Sequence, residues 1–531
     1  MDSVTVVVIG GGATGTGILR DLSMRGVKTL LIERGDLASD ASGRFHGLLH
    51  SGARYAVTDP RSAKECIEEN AILRRIGKHC VEKTEGFFVR LEGDGEDYEG
   101  QWVAGCAAAR IHAKRVDLKE ARRLEPHLSR RAVSVFRVPD SAIDGFRLCW
   151  QNVASARRYG GEVRTYTEAT GIERAGDRVV GVTVCDTLTG AVDSIGCDHV
   201  VNAAGSWVGR VASWAGIEVD VKPDRGVLIA FNHRFTNRVI NRLRPPANGD
   251  IFVPHGPITV LGTTSSPVAS ADDNVPHVEE VLELLHNGTE LFEDLPKYRI
   301  LRAYAGARPL YSPGEGRAAS RDFTILDHST DGLRGLTSAA GGKLTSYRLM
   351  AEKTADVVCR ELGVKAACRT AAEPMVEDPP RRLVTRARPF FPPYGLDLAA
   401  SRLGAAFGPV VQGLQMHPEE RRLICECEMV TLAEVESAAR EPTTFNLGDI
   451  RRRTRMGMGT CQGAFCSLRA VGALVSHDLV ADKDGKALIR DFLETRWKGI
   501  RPVLWGDQIR EAEFQREVYA ATLNLDGTAQ R

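Results

Sequence analysis

The stretch Val4-Thr5-Val6-Val7-Val8-Ile9-Gly10-Gly11-Gly12-Ala13-Thr14-Gly15 joins an apolar run of strand length to a glycine turn. A helical stretch follows to about Arg25, and Lys28 to Ile32 forms a second apolar run ending at Glu33. The pattern predicts a strand-helix-strand unit. Gly10, Gly12 and Gly15 satisfy G-x-G-x-x-G: the first permits a tight turn, the second lets a pyrophosphate approach the backbone, and the third lets the helix pack on the strand. Ala13 and Thr14 then present helix N-terminal amides to the anion. Glu33 stands where a carboxylate accepts from ribose hydroxyls, with Arg34 beside it. A dinucleotide site is expected here.

Outward from that unit, 531 residues exceed what one core supports, so two or three domains are expected. Seventy basic and sixty-nine acidic side chains leave a net charge of +1 with no long run of one sign, which gives no reason to invoke nucleic acid. Asp2 precedes the first apolar run and glycines cut it short, so it reads as a buried strand rather than a signal peptide. No stretch reaches the roughly 18 apolar residues of a membrane helix, so membrane contact is expected only through a partner or a surface helix. Twelve cysteines spread through a long chain favour a reducing, cytoplasmic setting. Eight of them, Cys66, Cys80, Cys106, Cys149, Cys185, Cys197, Cys359 and Cys368, lack metal spacing and read as small buried hydrophobes.

Further along, Arg61 to Arg123 reads as mainly helical, and strand-like segments return at Glu162 to Thr165, Val179 to Cys185 and His199 to Asn202 before Ala203-Ala204-Gly205. Gly226 to Phe231, Ile251 to Val253 and Ile258 to Gly262 alternate like antiparallel strands, with Gly256-Pro257 as a turn. Gly341-Gly342-Lys343-Leu344-Thr345 then opens a helix to Leu362. Six prolines between Glu373 and Tyr394 mark a connector, and Lys483 to Leu523 reads as helical. The expected fold class is α/β: a Rossmann-like domain over 1–370 with an antiparallel-sheet substrate domain inserted at about 60–145 and 220–320. A Pro-rich linker (371–420), a small helical iron-sulfur domain (421–475) and a helical tail (476–531) follow.

The glycine loop alone does not separate FAD from NAD. A second loop at Ala204-Gly205 and a helix start at Gly341 to Thr345 suit a flavin held by chain-distant pieces, since a helix N-terminus stabilises an anionic reduced ring. Ser42-Gly43-Arg44 and His46-Gly47-Leu48 fit a loop running beside the cofactor.

Three segments, His50-Ser51-Gly52-Ala53-Arg54-Tyr55, Ala305-Gly306-Ala307-Arg308-Pro309-Leu310 and Gly341 to Arg348, make the sequence resemble the FAD-dependent glycerol-3-phosphate dehydrogenases. With Cys425 to Cys466 included, it is similar to the A subunits of the anaerobic branch, and the resemblance runs through Arg496-Trp497-Lys498-Gly499. It implies oxidation of glycerol 3-phosphate by hydride transfer to FAD. Companion B and C subunits, a location at the cytoplasmic face of the membrane and a quinone as indirect acceptor are implied as well. A phosphorylated polyol carries about two negative charges, and the family motifs place Arg54, Tyr55, Arg308 and Lys343 at the substrate. Losing the hydroxyl proton needs a base or a polarising cation. His50 and His255 are the histidine candidates, with Arg308 or Lys343 as polarising alternatives. Single-subunit relatives often carry a histidine just after Arg225-Gly226, where this chain has Val227-Leu228.

Cys425-x-Cys427 and Cys461-x4-Cys466 form a four-thiolate set that resembles the two-iron two-sulfur (2Fe-2S) domain of bacterioferritin-associated ferredoxin. Zinc and unliganded thiols are the alternatives, although structural zinc favours Cys-x2-4-Cys spacing. Thr431-x-x-Glu434 predicts a capping box after the first pair. Such a cluster takes electrons singly and implies an onward carrier. Arg451, Arg452, Arg453 and Arg455 read as a solvated helical face, with complementing an anionic cluster or docking an acidic partner as alternatives. Two rival functions remain at this level: an FAD-dependent amine or amino-acid oxidoreductase, and an iron-sulfur electron-transfer protein with a vestigial flavin domain.

Overall fold

The computed structural model describes residues 3–311 and 322–525. Ser3–Ile9 forms strand β1, Ala13–Met24 helix α1 and Thr29–Ile32 strand β2. The two strands pair in parallel from Val6 opposite Thr29 to Ile9 opposite Ile32. Val6, Val7 and Val8 are all fully buried. A strand covered on both faces has no solvent side, so it reads as an unbroken apolar run instead of an alternation. Val192–Asn202 pairs parallel to the other edge of β1, Glu162–Arg164 parallel to β2, and Leu336–Gly341 parallel to the end of Val192–Asn202. The C-terminal ends of these strands therefore share one edge. There the glycine loop, Ala203–Gly205 and Gly341–Gly342 converge, as open parallel sheets require of a ligand site.

A second sheet of nine strands draws Gly86–Leu91, Lys114–Val116 and Ala132–Val138 from one part of the chain. The remaining strands come from 222–310, from Lys222–Phe231 through Ile300–Leu310. Its pairing is antiparallel except where Val239–Arg242 runs parallel to Gly86–Leu91. Phe87, Phe231, Phe252 and Phe292 fill the space beneath it. The mainly helical reading of 61–123 holds for Pro60–Ile76, Glu96–Ala108 and Leu118–Leu124 but misses the strands between them, because Gly86-Phe87-Phe88-Val89 is an aromatic and β-branched run that finds a partner in Ala132–Val138. The far end of the expected insertion, 312–320, lies outside the described residues.

The expected Pro-rich connector is also corrected. Arg381–Ala387, Pro393–Leu403 and Phe407–Met416 are helices that bury Phe391, Phe407 and Leu414 together. Pro392 and Pro393 sit at the N-cap and first turn, where a missing N–H costs nothing, so the prolines start helices instead of preventing them. The four cysteines belong to a last unit built on a hairpin, Leu423–Cys425 with Val430–Thr431, and on helices Leu432–Ala439, Leu447–Thr454 and Cys466–Ser476. Thr431 caps the first of these helices and Glu434 returns the bond, completing the capping box. Ile489 and Phe492 of helix Asp482–Ile500 close its core.

This unit docks on the nucleotide-binding sheet through the basic run read above as a solvated face. Arg452 and Arg453 both grip Asp36, which is 1% exposed. Arg455 joins Glu428 at 2.9 Å to Asp144 at 2.9 Å. Charge runs look alike in sequence whether they meet solvent or a buried acid, and only the docked surface decides. Burial opposes ionisation of Asp144, but Arg455 and Arg147 outweigh it and hold the carboxyl down at about 2 from 3.8. A depressed carboxyl stabilises the fold above its unfolded pKa and loses that contribution as pH falls through the folded one, about 2 kcal/mol for such a shift. Wild type should lose about 2 kcal/mol more than Asp144→Asn between pH 3.8 and about 2 in acid denaturation; parallel curves would remove Asp144 from the docking.

Candidate active site and cysteine centre

A cavity of about 720 Å³ opens at the shared strand edge. Gly10, Gly12, Ala13 and Thr14 form one wall, and Gly15 packs behind them against the Gly10 carbonyl. Gly10 has φ +113°, and a Cβ there would lie 2.6 Å from the Ala203 carbonyl oxygen, so the loop cannot close with another residue. A Cβ at Gly12 would meet only Ser42 among its neighbours, so the backbone is bare toward the cavity. Ser42 Oγ accepts from the Ala13 amide at 2.9 Å. Glu33 accepts from the Gly11 and Gly35 amides at 2.7 and 2.9 Å, and burial pushes its carboxyl above the usual range. Arg34 lies over the Trp207 ring at 4.1 Å and closes that end. This lining of bare backbone, helix amides and a carboxylate at the end of the second strand fits FAD.

Ala204, Gly205 and the whole of Gly341 to Thr345 line the same cavity, as do His46 and Leu48. Gly341 and Gly342 are consecutive positive-φ residues, +79° and +86°, a bend that glycine alone adopts without strain. It ends in the short turn Leu344–Ser346 before helix Tyr347–Glu361. Gly43 and Gly47 stand outside the lining, Gly43 beneath Phe146 and Gly47 against His255.

At the other end of the cavity His50, Arg54, Tyr55, Arg308 and Lys343 come together. Arg54 bonds Asp250 at 3.2 Å, a buried carboxylate shared with Arg244. Arg308 bonds Asp224 at 2.5 Å and also donates to Thr263 and to the Thr264 carbonyl. It lies over Gly226, where any side chain would collide with the guanidinium. Lys343 donates to Ser62 at 2.8 Å and sits over the Tyr55 ring at 5.2 Å. The His50 amide donates to Thr345 Oγ1 at 3.1 Å, and its ring lies between those of His46 and Tyr55. Burial, followed by the nearby His50, Arg308 and Arg54, holds His46 neutral, and its Nδ1 accepts from the Leu48 amide. His255 is not in the lining. Its Nε2 lies 3.0 Å from the His46 carbonyl, so it braces the loop from behind.

Arg44, Trp207 and Gly306 also line the cavity and escaped the site residues chosen from sequence. Arg44 follows Ser42-Gly43, so its loop was marked even though the residue was not. Trp207 follows the Ala204-Gly205 turn with no signal beyond its position after a strand.

The four cysteines are brought together. Cys425 ends a strand, Cys466 opens a helix, and Cys427 and Cys461 lie in turns. Their thiols touch in the sequence Cys425, Cys466, Cys461, Cys427. A hydrogen bond from Cys466 holds Cys425 down at about 7 and Cys461 at about 5, while Cys466 itself is pushed up. Gly457 and Glu428 amides point at Cys425, and Gly463 and Phe465 amides at Cys461. Arg302, Arg451 and Arg496 each bury an Nε that no protein acceptor meets. Burial, with Arg302 and Arg452 close by, pushes Arg451 far down, and the charge of Cys466 opposes this. Cations with a shielded Nε lacking an acceptor, beside thiols and inward amides, fit an anionic iron-sulfur cluster.

Strand Ile300–Leu310 links the two places. Gly306 and Arg308 line the cavity. Tyr304 donates to the Phe45 carbonyl at 3.3 Å, and Arg302 donates to Gln462 Oε1 at 3.4 Å, next to Cys461. From residue 306 to 302 the strand covers about 13 Å.

The FAD dependent oxidoreductase family matches residues 5–348, and the BFD-like 2Fe-2S binding domain matches residues 423–474. The chain is 43% identical over 99% of its length to the A subunit of the anaerobic glycerol-3-phosphate dehydrogenase of Escherichia coli (strain K12), covering 97% of that protein. It is 42% identical over 99% of its length to the A1 subunit of the Haloferax volcanii enzyme of the same name, covering 91%. In fold it is similar to the glycerol-3-phosphate dehydrogenase of Bacillus halodurans solved with FAD, at a TM-score of 0.71 and 22% identity, over 95% of this chain and 96% of that one. Glycine oxidase from Geobacillus kaustophilus follows with a TM-score of 0.57 and 18% identity, over 72% of this chain and all of that one. With a cavity that fits FAD and a thiol set that fits a cluster, the chain belongs to the FAD-dependent oxidoreductases, in the group of the anaerobic glycerol-3-phosphate dehydrogenase A subunits that carry a 2Fe-2S domain.

Proposed function

We propose that the chain oxidises sn-glycerol 3-phosphate to dihydroxyacetone phosphate at the cationic end of the cavity. The observation that carries this is the convergence of Arg54, Arg308 and Lys343 from three distant segments onto one wall next to the glycine-bend loop. FAD held in the cavity would supply the acceptor for a hydride from the secondary carbon, and a cluster held by Cys425, Cys427, Cys461 and Cys466 would supply one-electron transfer onward.

The protein's own part is binding, orientation and proton handling. Gly10 to Thr14, Glu33, Arg34, Ser42, Ala204, Gly205 and Gly341 to Thr345 hold the cofactor in this reading. Arg54 and Arg308 are locked by Asp250 and Asp224, so their forks are already aimed when a phosphate or hydroxyl arrives. Lys343, stacked over Tyr55, adds a cation that lowers the cost of the developing alkoxide. His50 takes the hydroxyl proton; its backbone is pinned to Thr345, and the neighbouring His46 is held neutral and offers it no competing charge. His255 is assigned to bracing the loop. Arg54, Arg308 and Lys343 supply three cations where an amino acid brings a single carboxylate, which favours a phosphate ester with about two negative charges over the amine rival.

Companion B and C subunits, with a quinone beyond them and a peripheral position at the cytoplasmic face of the membrane, complete the proposal. The relatives' names, as A subunits, support a complex. Among the described residues no helix is long and apolar enough to cross a membrane, so attachment falls to a partner in this reading.

Anaerobic addition of glycerol 3-phosphate should bleach the flavin absorbance; bleaching by glycine or sarcosine alone would move the chain to the amine oxidoreductases. Arg308→Ala should raise KM by about 30- to 160-fold, the loss of about 2–3 kcal/mol expected for a charge-assisted contact; an unchanged KM takes Arg308 away from the substrate. Cys461→Ser should abolish the cluster's visible and electron paramagnetic resonance signals while the flavin still bleaches with substrate. Arg451→Gln, which removes a shielded positive charge beside Cys466, should shift the cluster potential to more negative values by tens of millivolts in a redox titration, and an unchanged potential would show that Arg451 does not face the cluster.

A further inference from the structure

At the C-terminal end of the helix that Cys466 begins, three elements bring Glu420, Glu436 and His477 together, with their ligand atoms all within 4.8 Å of one another. Glu420 lies in the turn Pro418–Arg421, just before the strand that ends at Cys425. Glu436 is in helix Leu432–Ala439, and His477 caps the end of the helix that Cys466 begins.

The Glu436 side chain is 1% exposed. Its Oε2 accepts from Arg440 at 3.0 Å. Its Oε1 is shielded from solvent and has no hydrogen-bond partner. Yet that same oxygen lies 2.5 Å from His477 Nδ1. The two atoms are close but not aligned as a hydrogen bond, so the imidazole leaves this oxygen without a donor. A buried carboxylate oxygen left without a donor costs free energy unless something cationic meets it. Glu420 adds a second carboxylate rather than a donor, and burial together with Glu436 pushes its carboxyl above the usual range. Two carboxylates and an imidazole are a donor set for zinc and its first-row neighbours, while calcium and magnesium prefer oxygen alone.

We propose that Glu420, Glu436 and His477 form a second metal site in this chain, separate from the four cysteines, that takes one divalent first-row transition-metal ion such as zinc. The ion ties the segment entering Cys425 to the far end of the helix leaving Cys466, and so staples the two halves of the cysteine unit from outside.

The test uses the purified full chain with flavin and cluster in place, treated with a mild chelator, equilibrated with zinc at micromolar concentration, desalted, and assayed for zinc and iron by mass spectrometry. Wild type is expected to retain one additional zinc per chain with its iron and visible cluster spectrum unchanged. Glu436→Gln and His477→Ala are each expected to lose that zinc. His477 is part-exposed at a helix end, so His477→Ala keeps the fold, and the cluster spectrum verifies it. Wild type that retains no additional zinc overturns the site. So does zinc retained equally by wild type and His477→Ala, which would put the ion elsewhere.

Discussion

Asp36 lies three residues beyond Glu33, on the loop that closes the nucleotide site, and two arginines from the far end of the chain grip it. Its carboxylate accepts from Arg452 at 2.6 Å and from Arg453 at 2.9 and 3.0 Å. Burial alone would keep such an acid neutral, but the two cations hold it below the usual carboxylate range. A buried ion pair of this kind adds little net stability relative to apolar packing, whereas losing one partner costs about 3–5 kcal/mol. Its physical effect is registry: the cysteine unit has one low-energy seat on the flavin-binding sheet, and every other docking leaves a charge buried alone. The Glu428-Arg455-Asp144 bridge repeats the device next to Cys427.

Fixed registry is what gives strand Ile300–Leu310 its meaning. One strand presents Arg308 and Gly306 to the cavity and Arg302 to the loop holding Cys461, with Tyr304 bonded to Phe45 between them. A loosely tethered cysteine unit would not keep Arg302 against Gln462. The cations of this interface also do electrostatic work, since Arg302, Arg451 and Arg496 carry positive charge into a poorly solvated space beside the thiols. They stand where negative charge must be accommodated, as the donors of an oxyanion site stand in place before charge develops.

The nucleotide site was legible because its signals are local. Gly10, Gly12 and Gly15 act within a single turn, and Glu33 sits at the end of the adjacent strand, so a dozen residues carry the geometry. The cysteine pairs were legible for the same reason, with Thr431 and Glu434 marking the helix between them. His255 was not legible, because its place behind the cavity wall depends on how strand Ile251–His255 stacks behind the His46 loop. The connector was misread because proline opposes a helix interior but suits its first turn, and composition does not say which of the two a given proline occupies. The Arg451 to Arg455 run was misread because helical periodicity places the arginines on a face without naming what that face meets.

Taken by itself, the sequence determined the dinucleotide fingerprint, the four thiolates, the division into a flavin part and a cysteine part, and the cations that line the cavity. All of these depend on spacing along the chain, which backbone geometry converts directly into position. Only the tertiary structure decided which histidine reaches the cavity, which acids neutralise Arg54 and Arg308, that the basic run is a buried latch, and that Glu420, Glu436 and His477 meet. Those facts belong to surfaces contributed by segments tens to hundreds of residues apart, and burial in the folded chain sets the energy of each charge there.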